Sequence, residues 1–180
     1  MKKGINALVL LCTLCLLCGC ASNYSVNVSN AGKLNVSLPF KTFPDKYTCK
    51  GEDKSPPVKI EGVSSKVKSL ALVMVDLDAP KGVFVHWVVW NIPANVSYIP
   101  PGIPSKAVVE KPVKMVQGRN DFGKIGYGGP CPPFGVHRYV IKVYGLNCWL
   151  NLKPGSTANT LYRAMNGHVI QMGSYTARYP

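Results

Sequence analysis

Much of what usually marks an enzyme or a nucleic-acid-binding protein is missing from this sequence. It has no His-x-x-x-His metal motif and no Ser or Cys nucleophile in a recognisable elbow, so the common metallohydrolase and serine-hydrolase signatures are absent. Cys49, Cys131 and Cys148 form no Cys-x-x-Cys, which leaves structural metal binding and dithiol redox chemistry without support. No zinc finger or aromatic ribonucleoprotein box accompanies the basic excess. The formal charge is +13, but Lys66, Lys68, Lys106, Lys111 and Lys114 are separated by apolar or polar neighbours. That pattern reads as a solvated basic face suited to anionic surfaces, not to nucleic acid. Internal repeats are absent, and 180 residues suit one domain. Long helical runs are scarce too, because 17 glycines and 15 prolines punctuate the chain into short segments. A hydrophobic content of 47% excludes a disordered chain.

What is present begins with a leader. Lys2 and Lys3 precede an apolar stretch over residues 5–17, shorter than the ~20 residues that span a bilayer as a helix. A cleaved signal over residues 1–19 is therefore expected. Leu17-Cys18-Gly19-Cys20 resembles the lipobox of bacterial lipoproteins, with Cys20 as the residue that receives the lipid. Cys15 and Cys18 lack a small residue just before them and fit less well. A plain secretory signal cut after Gly19 or Ala21 is the alternative. Removing residues 1–19 takes away two lysines and no acid, leaving +11. Residues 20–32, rich in Ser and Asn after the lipidated Cys, read as a flexible tether, and residues 33–180 as the domain. Ala21 after the Cys is not the Asp of inner-membrane retention. The expected place is the cell envelope, at the outer membrane or periplasmic face in a Gram-negative host. The Asn-x-Ser triplets at Asn23, Asn27, Asn35 and Asn95 are expected to be unmodified there. Of the three cysteines left in the domain, at most one pair can bridge, and the sequence does not choose it.

Short apolar runs dominate the domain. Leu34, Val36 and Leu38 alternate with polar residues, and residues 58–60 do likewise, as in half-buried strands. Residues 70–77, 85–92 and 139–146 are apolar at most positions and predict central strands covered on both faces. Residues 169–175 predict a last strand. Thr157 is placed to cap a helix whose Leu161, Ala164 and Met165 fall at helical spacing before Gly167. The fold class is mainly β, an antiparallel sandwich with one or two short helices.

Three clusters carry the chemistry: Asp76-Leu77-Asp78-Ala79-Pro80, His86-Trp87, and the stiff Gly128-Gly129-Pro130-Cys131-Pro132-Pro133-Phe134-Gly135-Val136-His137-Arg138-Tyr139. Acids and histidines at strand ends can be aimed into one cleft by a rigid sheet. Strand parity puts Asp76 on a face with Leu70, Leu72 and Met74, His86 with Val88 and Trp90, and His137 with Tyr139, Ile141 and Val143. Imidazoles and backbone N–H groups together suit a phosphate or carboxylate, and a neighbouring carboxylate would orient a His. The plainer reading is structural: Arg138 pairs with Asp78 or another acid, and Gly-Pro runs are often only turns.

Taken in order, these motifs, with Tyr47-Thr48-Cys49-Lys50-Gly51-Glu52-Asp53-Lys54-Ser55-Pro56-Pro57, resemble the phosphatidylethanolamine-binding proteins, in their prokaryotic Raf-kinase-inhibitor-like branch. The likeness runs from about Leu34 to Tyr175. It implies two packed sheets with an anion pocket at one end that takes phosphate-like, carboxylate or phospholipid head groups, with no cofactor and no metal. Carried over residue by residue, the pocket would comprise Asp76, Asp78, His86, Gly129, Pro130 and His137, with Tyr139 beside them. His86 and His137 would face the anion, Gly129 would let it approach the backbone, and Ala79–Pro80 would be a cis peptide. Leu77 stands where the family usually has Pro, and the helix that gates the pocket in animal members has no counterpart, so kinase inhibition does not follow. The expectation is a binding protein, with regulation of a partner protein as a further role, and not an enzyme. The alternatives are a protease or kinase inhibitor, or a hydrolase using Asp and His or a Cys131–His137 dyad.

Overall fold

The computed structural model describes Val26 and residues 28–180. The leader, the lipobox and Cys20 lie outside these residues. Among the described residues, no helix is long and apolar enough to cross a membrane.

Among the described residues, ten strands form two sheets. The larger sheet contains β1 (Gly32–Lys33), β4 (Ser69–Asp76), β5 (Phe84–Pro93), β7 (Val108–Val109), β8 (Met115–Gln117), β9 (His137–Leu146) and β10 (Val169–Tyr179), in the order β1-β10-β9-β4-β5-β8-β7. The smaller contains β2 (Asn35–Ser37), β3 (Val58–Glu61) and β6 (Tyr98–Ile99), in the order β2-β3-β6. Every pair is antiparallel except β1–β10, which is parallel. The helix α1 (Ala158–Met165) and a 3-10 turn at Asp45–Tyr47 complete the elements of the described residues.

β4 shows why the layers stack as they do. All eight of its residues are buried, so its period of two serves two cores. Leu70, Leu72 and Met74 pack with Ile60, Val58 and Ile99 of the small sheet. Ala71, Val73 and Val75 face the other way and share a core with Leu161, Tyr162 and Met165 of α1. The helix starts where Thr157 accepts a hydrogen bond from the Thr160 N–H, and it ends before Gly167, whose φ of 78° suits glycine. The molecule is therefore three layers deep: small sheet, large sheet, helix.

The central strands lie within a residue or two of their sequence-based positions. β10 is longer than expected and reaches Tyr179, because each residue from Gly173 onward finds a partner on β9. The chain joins the domain before Leu34. Val26 and Val28 pack against the α1-side core, and Gly32 pairs with Gln171. One expectation fails outright: Ala79–Pro80 is not cis, whereas Lys111–Pro112 and Tyr179–Pro180 are. The turn after β4 is closed by hydrogen bonds instead. The Asp78 N–H donates to Asp76 Oδ1 (2.8 Å), and the Gly82 N–H to the Ala79 carbonyl (2.9 Å).

Candidate functional site

The centre of the site is a break in strand register. Asp76 pairs with Phe84 and Val75 with Val85, but Met74 pairs with Trp87, so His86 is an extra residue on β5. This β-bulge shifts side-chain parity and re-aims the residue it inserts. His86 therefore does not share the face of Val88 and Trp90, as unbroken alternation predicted. Its ring lies edge-on to Tyr139, 5.2 Å between centroids, with Phe84 and Phe122 at 5.2 and 5.3 Å. Three bonds from a neighbouring loop hold the bulge: the Asp121 N–H to the Val85 carbonyl, the Val85 N–H to Asp121 Oδ2 (2.8 Å), and the Gly128 N–H to the His86 carbonyl (3.0 Å).

Asp76, His86 and His137 are all buried, at 4, 2 and 3% exposure. Strand register sets Asp76 opposite Tyr139, two residues along β9 from His137. His137 Nδ1 lies 2.7 Å from Asp76 Oδ2, so the carboxylate orients the imidazole. His86 Nδ1 lies 2.7 Å from the Gly128 carbonyl. A carbonyl oxygen only accepts, so Nδ1 carries the proton there and leaves Nε2 unprotonated in the neutral ring. Burial keeps His86 below the ordinary imidazole pKa of 6.5, only partly offset by Gly128 and Asp76. Among the described residues, neither histidine has a protein partner at Nε2.

Both rings line a cleft of about 430 Å³. Asp76 and Asp121 add carboxylates, Lys81 adds a cation, and the walls are Ala79, Pro80, Val83, Phe84, Phe122, Pro132 and Pro133. Apolar walls with a few convergent polar groups are the usual make-up of a small-ligand site.

Of the seven residues expected in the pocket, Asp76, His86 and His137 line it. Asp78 instead grips Arg138, with Oδ1 accepting from Nη2 and Oδ2 from Nε (2.6 and 2.9 Å), and this pairing lowers its pKa to about 2. The Gly129 N–H is not offered to a ligand. It donates to Asp53 Oδ1 (2.6 Å), and a Cβ there would lie 2.5 Å from the Tyr47 carbonyl, so this glycine permits loop-on-loop packing. The Pro130 carbonyl accepts from the Cys49 N–H. Tyr139 lies beneath the histidines, 1% exposed, and its hydroxyl finds no well-formed hydrogen bond. Burial and the nearby Asp76 push this phenol well above the ordinary tyrosine range. Cys131 forms a disulfide with Cys49, leaving Cys148 as the free thiol of the domain. The Cys131–His137 dyad is thereby excluded, since a disulfide sulfur is no thiolate.

Phe84, Phe122, Asp121 and Lys81 went unnoticed in the sequence. The Asn120-Asp121-Phe122-Gly123 run signals a turn, but nothing local shows that Asp121 reaches Val85, 36 residues away.

The comparisons with known proteins agree with this architecture. The family model of the phosphatidylethanolamine-binding proteins matches residues 29–180. A UPF0098 protein of Pyrococcus horikoshii is 50% identical over 99% of this chain and 90% of its own length. One from Archaeoglobus fulgidus is 49% identical over 83% of this chain and 52% of its own. Among solved structures, a PEBP homologue of Chlamydia trachomatis superposes with a TM-score of 0.74 at 35% identity, covering 84% of this chain and 98% of that one. E. coli YbcL, described as a member of the mammalian PEBP family, gives 0.72 at 31%, covering 81% and 97%.

Proposed function

The chain belongs to the phosphatidylethanolamine-binding protein family, and from that premise we propose that its cleft captures a small anionic, phosphate-bearing group such as a phospholipid head group. The observation that carries this reading is the pair of buried imidazoles, His86 and His137, each anchored through Nδ1 and each leaving Nε2 without a protein partner in a cleft with apolar walls. Such a site can surround an anion with donors while excluding water, which strengthens each contact. Asp76 is committed to His137 and to the Asp78 N–H, so its charge is partly satisfied before a ligand arrives. A binding role suits the lining better than covalent catalysis. Among the described residues, no hydroxyl-bearing one lines the cleft, and the cysteine that does, Cys131, is oxidised.

The test is titration of the purified protein with inorganic phosphate, phosphoethanolamine and anionic vesicles, followed by NMR of the histidine rings and by calorimetry. Binding should weaken at least tenfold in His86→Gln or His137→Gln, the order expected for loss of one charge-assisted contact. A wild type that responds to none of the three, or variants that bind as well as wild type, would remove the proposal. A response to phosphate but not to vesicles identifies a soluble ligand.

We further propose that the protein is exported and tethered through Cys20 by attached acyl chains. The alignment with the Pyrococcus horikoshii protein spans 99% of this chain and so takes in the N-terminal segment as well as the domain. Metabolic labelling with a palmitate analogue should mark the wild type and fail on Cys20→Ser; label retained in that variant refutes the anchor.

A further inference from the structure

β1, by which the chain enters the large sheet, and the cleft lie at opposite ends of that sheet. β10 runs from the α1 end of the sheet to the cleft, where Tyr179 pairs with His137. β1 is parallel to it and pairs at Gln171 and Met172, so the chain enters from the far end, travelling towards the cleft. Val28 accepts from the Ala31 N–H in a turn just before that pairing.

The far end has the composition of a surface that rests on anionic lipid. It carries Lys33 on β1, Lys66 and Lys68 in the loop before β4, and Arg163 in the last turn of α1, all exposed. Two acids reach this end, Glu61 opposite Asn35 and Glu110 after Val109, and each lies beside a lysine, Lys59 (2.8 Å) and Lys114 (3.9 Å), so Lys33, Lys66, Lys68 and Arg163 leave it basic. Trp149 is 52% exposed on the loop after β9, a residue type suited to the head-group layer. The cleft end differs. Asp45, Glu52, Asp53, Asp76, Asp78 and Asp121 cluster around it and offset its lysines.

Five residues lie between Cys20 and Val26, and six extended steps cover about 20 Å, so the acyl chains lie within that reach of Val26 on the α1-side core.

We infer that the end bearing Lys33, Lys66, Lys68, Arg163 and Trp149 seats on the anionic phospholipid surface that holds the Cys20 acyl chains, with the cleft facing away from that membrane. This rests on the proposed Cys20 anchor. It follows that the cleft draws its ligand from solution or from a surface opposite, not from the leaflet in which the protein is anchored.

The full-length protein is reconstituted into phosphatidylethanolamine–phosphatidylglycerol vesicles doped with a head-group nitroxide. A thiol-reactive fluorophore is placed at Ser65→Cys (far end) or at Val136→Cys (cleft end), each in a Cys148→Ser background. Intact mass reports acylation at Cys20. With acyl mass present, nitroxide quenching should be severalfold stronger at position 65 than at position 136. Acylated protein with equal quenching, or with stronger quenching at 136, overturns the orientation and leaves the anchor standing. Protein without acyl mass, with a Cys20 that takes up the fluorophore, overturns the anchor and the orientation together. As a second measurement, Lys66→Gln with Lys68→Gln in the Cys20→Ser form should weaken adsorption to the same vesicles by roughly thirtyfold at low salt. Unchanged adsorption would remove the basic face as the docking surface.

Discussion

His86 is the group whose protonation the cleft governs most directly. Its Nδ1–H is spent on Gly128, and burial holds its pKa below 6.5, so at neutral pH Nε2 is an acceptor. To donate to an anion the ring must take up a proton. The unfolded chain binds that proton first as the pH falls, because its imidazole pKa is the higher one. The stability supplied by neutral His86 is thus full above about pH 6.5 and is lost as the pH falls towards the folded-state value. Thermal melts should show a loss across that window, and saturating phosphate should reduce it by stabilising the imidazolium. Calorimetry in buffers of different ionisation enthalpy should register proton uptake on phosphate binding, absent in His86→Gln. Binding without uptake would mean that Nε2 accepts from a protonated ligand. At this scale the sequence was only half legible. Asp76, His86 and His137 could be named because the motifs quote them. Asp78, Gly129, Pro130 and Tyr139 belong to the same motifs yet serve Arg138, Asp53, Cys49 and the space beneath the rings, partners that only folding reveals.

Among the elements, the loop after Tyr127 owes its place to the segment over residues 45–53. The Tyr127 hydroxyl donates to the Tyr47 carbonyl (2.6 Å), Gly129 to Asp53, and Cys49 to Pro130, with the Cys49–Cys131 bridge closing the seam. The bridge spans 82 residues, a separation at which loop closure contributes about 4 kcal/mol. Cys49→Ser with Cys131→Ser should lower Tm by about 10 °C in calorimetry and weaken phosphate binding as well, because the wall formed by Pro132 and Pro133 loses its anchor. An unchanged Tm would show that the hydrogen bonds hold the seam alone. Two elements were hidden from sequence for definite reasons. Three cysteines permit three pairings, and spacing does not separate them. The β5 bulge is invisible to a period-two reading, which assumes one residue opposite one residue throughout.

For the molecule as a whole, the layers were legible and the neighbours were not. Alternating and continuous apolar runs announced a β sandwich because burial on one or two faces leaves its mark locally. The parallel β1–β10 pair and the assignment of β2, β3 and β6 to a separate sheet depend on contacts far apart in sequence, which leave no periodic trace. Charge behaved similarly. The total of +13 was evident, but its uneven distribution emerges only when the strands bring Lys33, Lys66, Lys68 and Arg163 to one end and Asp45, Asp53, Asp76 and Asp121 to the other. The inserted residue at His86 has a consequence for anyone transplanting this site. Around His86 β5 changes phase, one reading before the insertion and another after it, so a scaffold strand of unbroken alternation cannot receive it by matching residue for residue. Deleting Val85 would return His86 to the phase of Trp87 onward and turn the imidazole out of the cleft, with the residues that line the cleft all still present in the sequence.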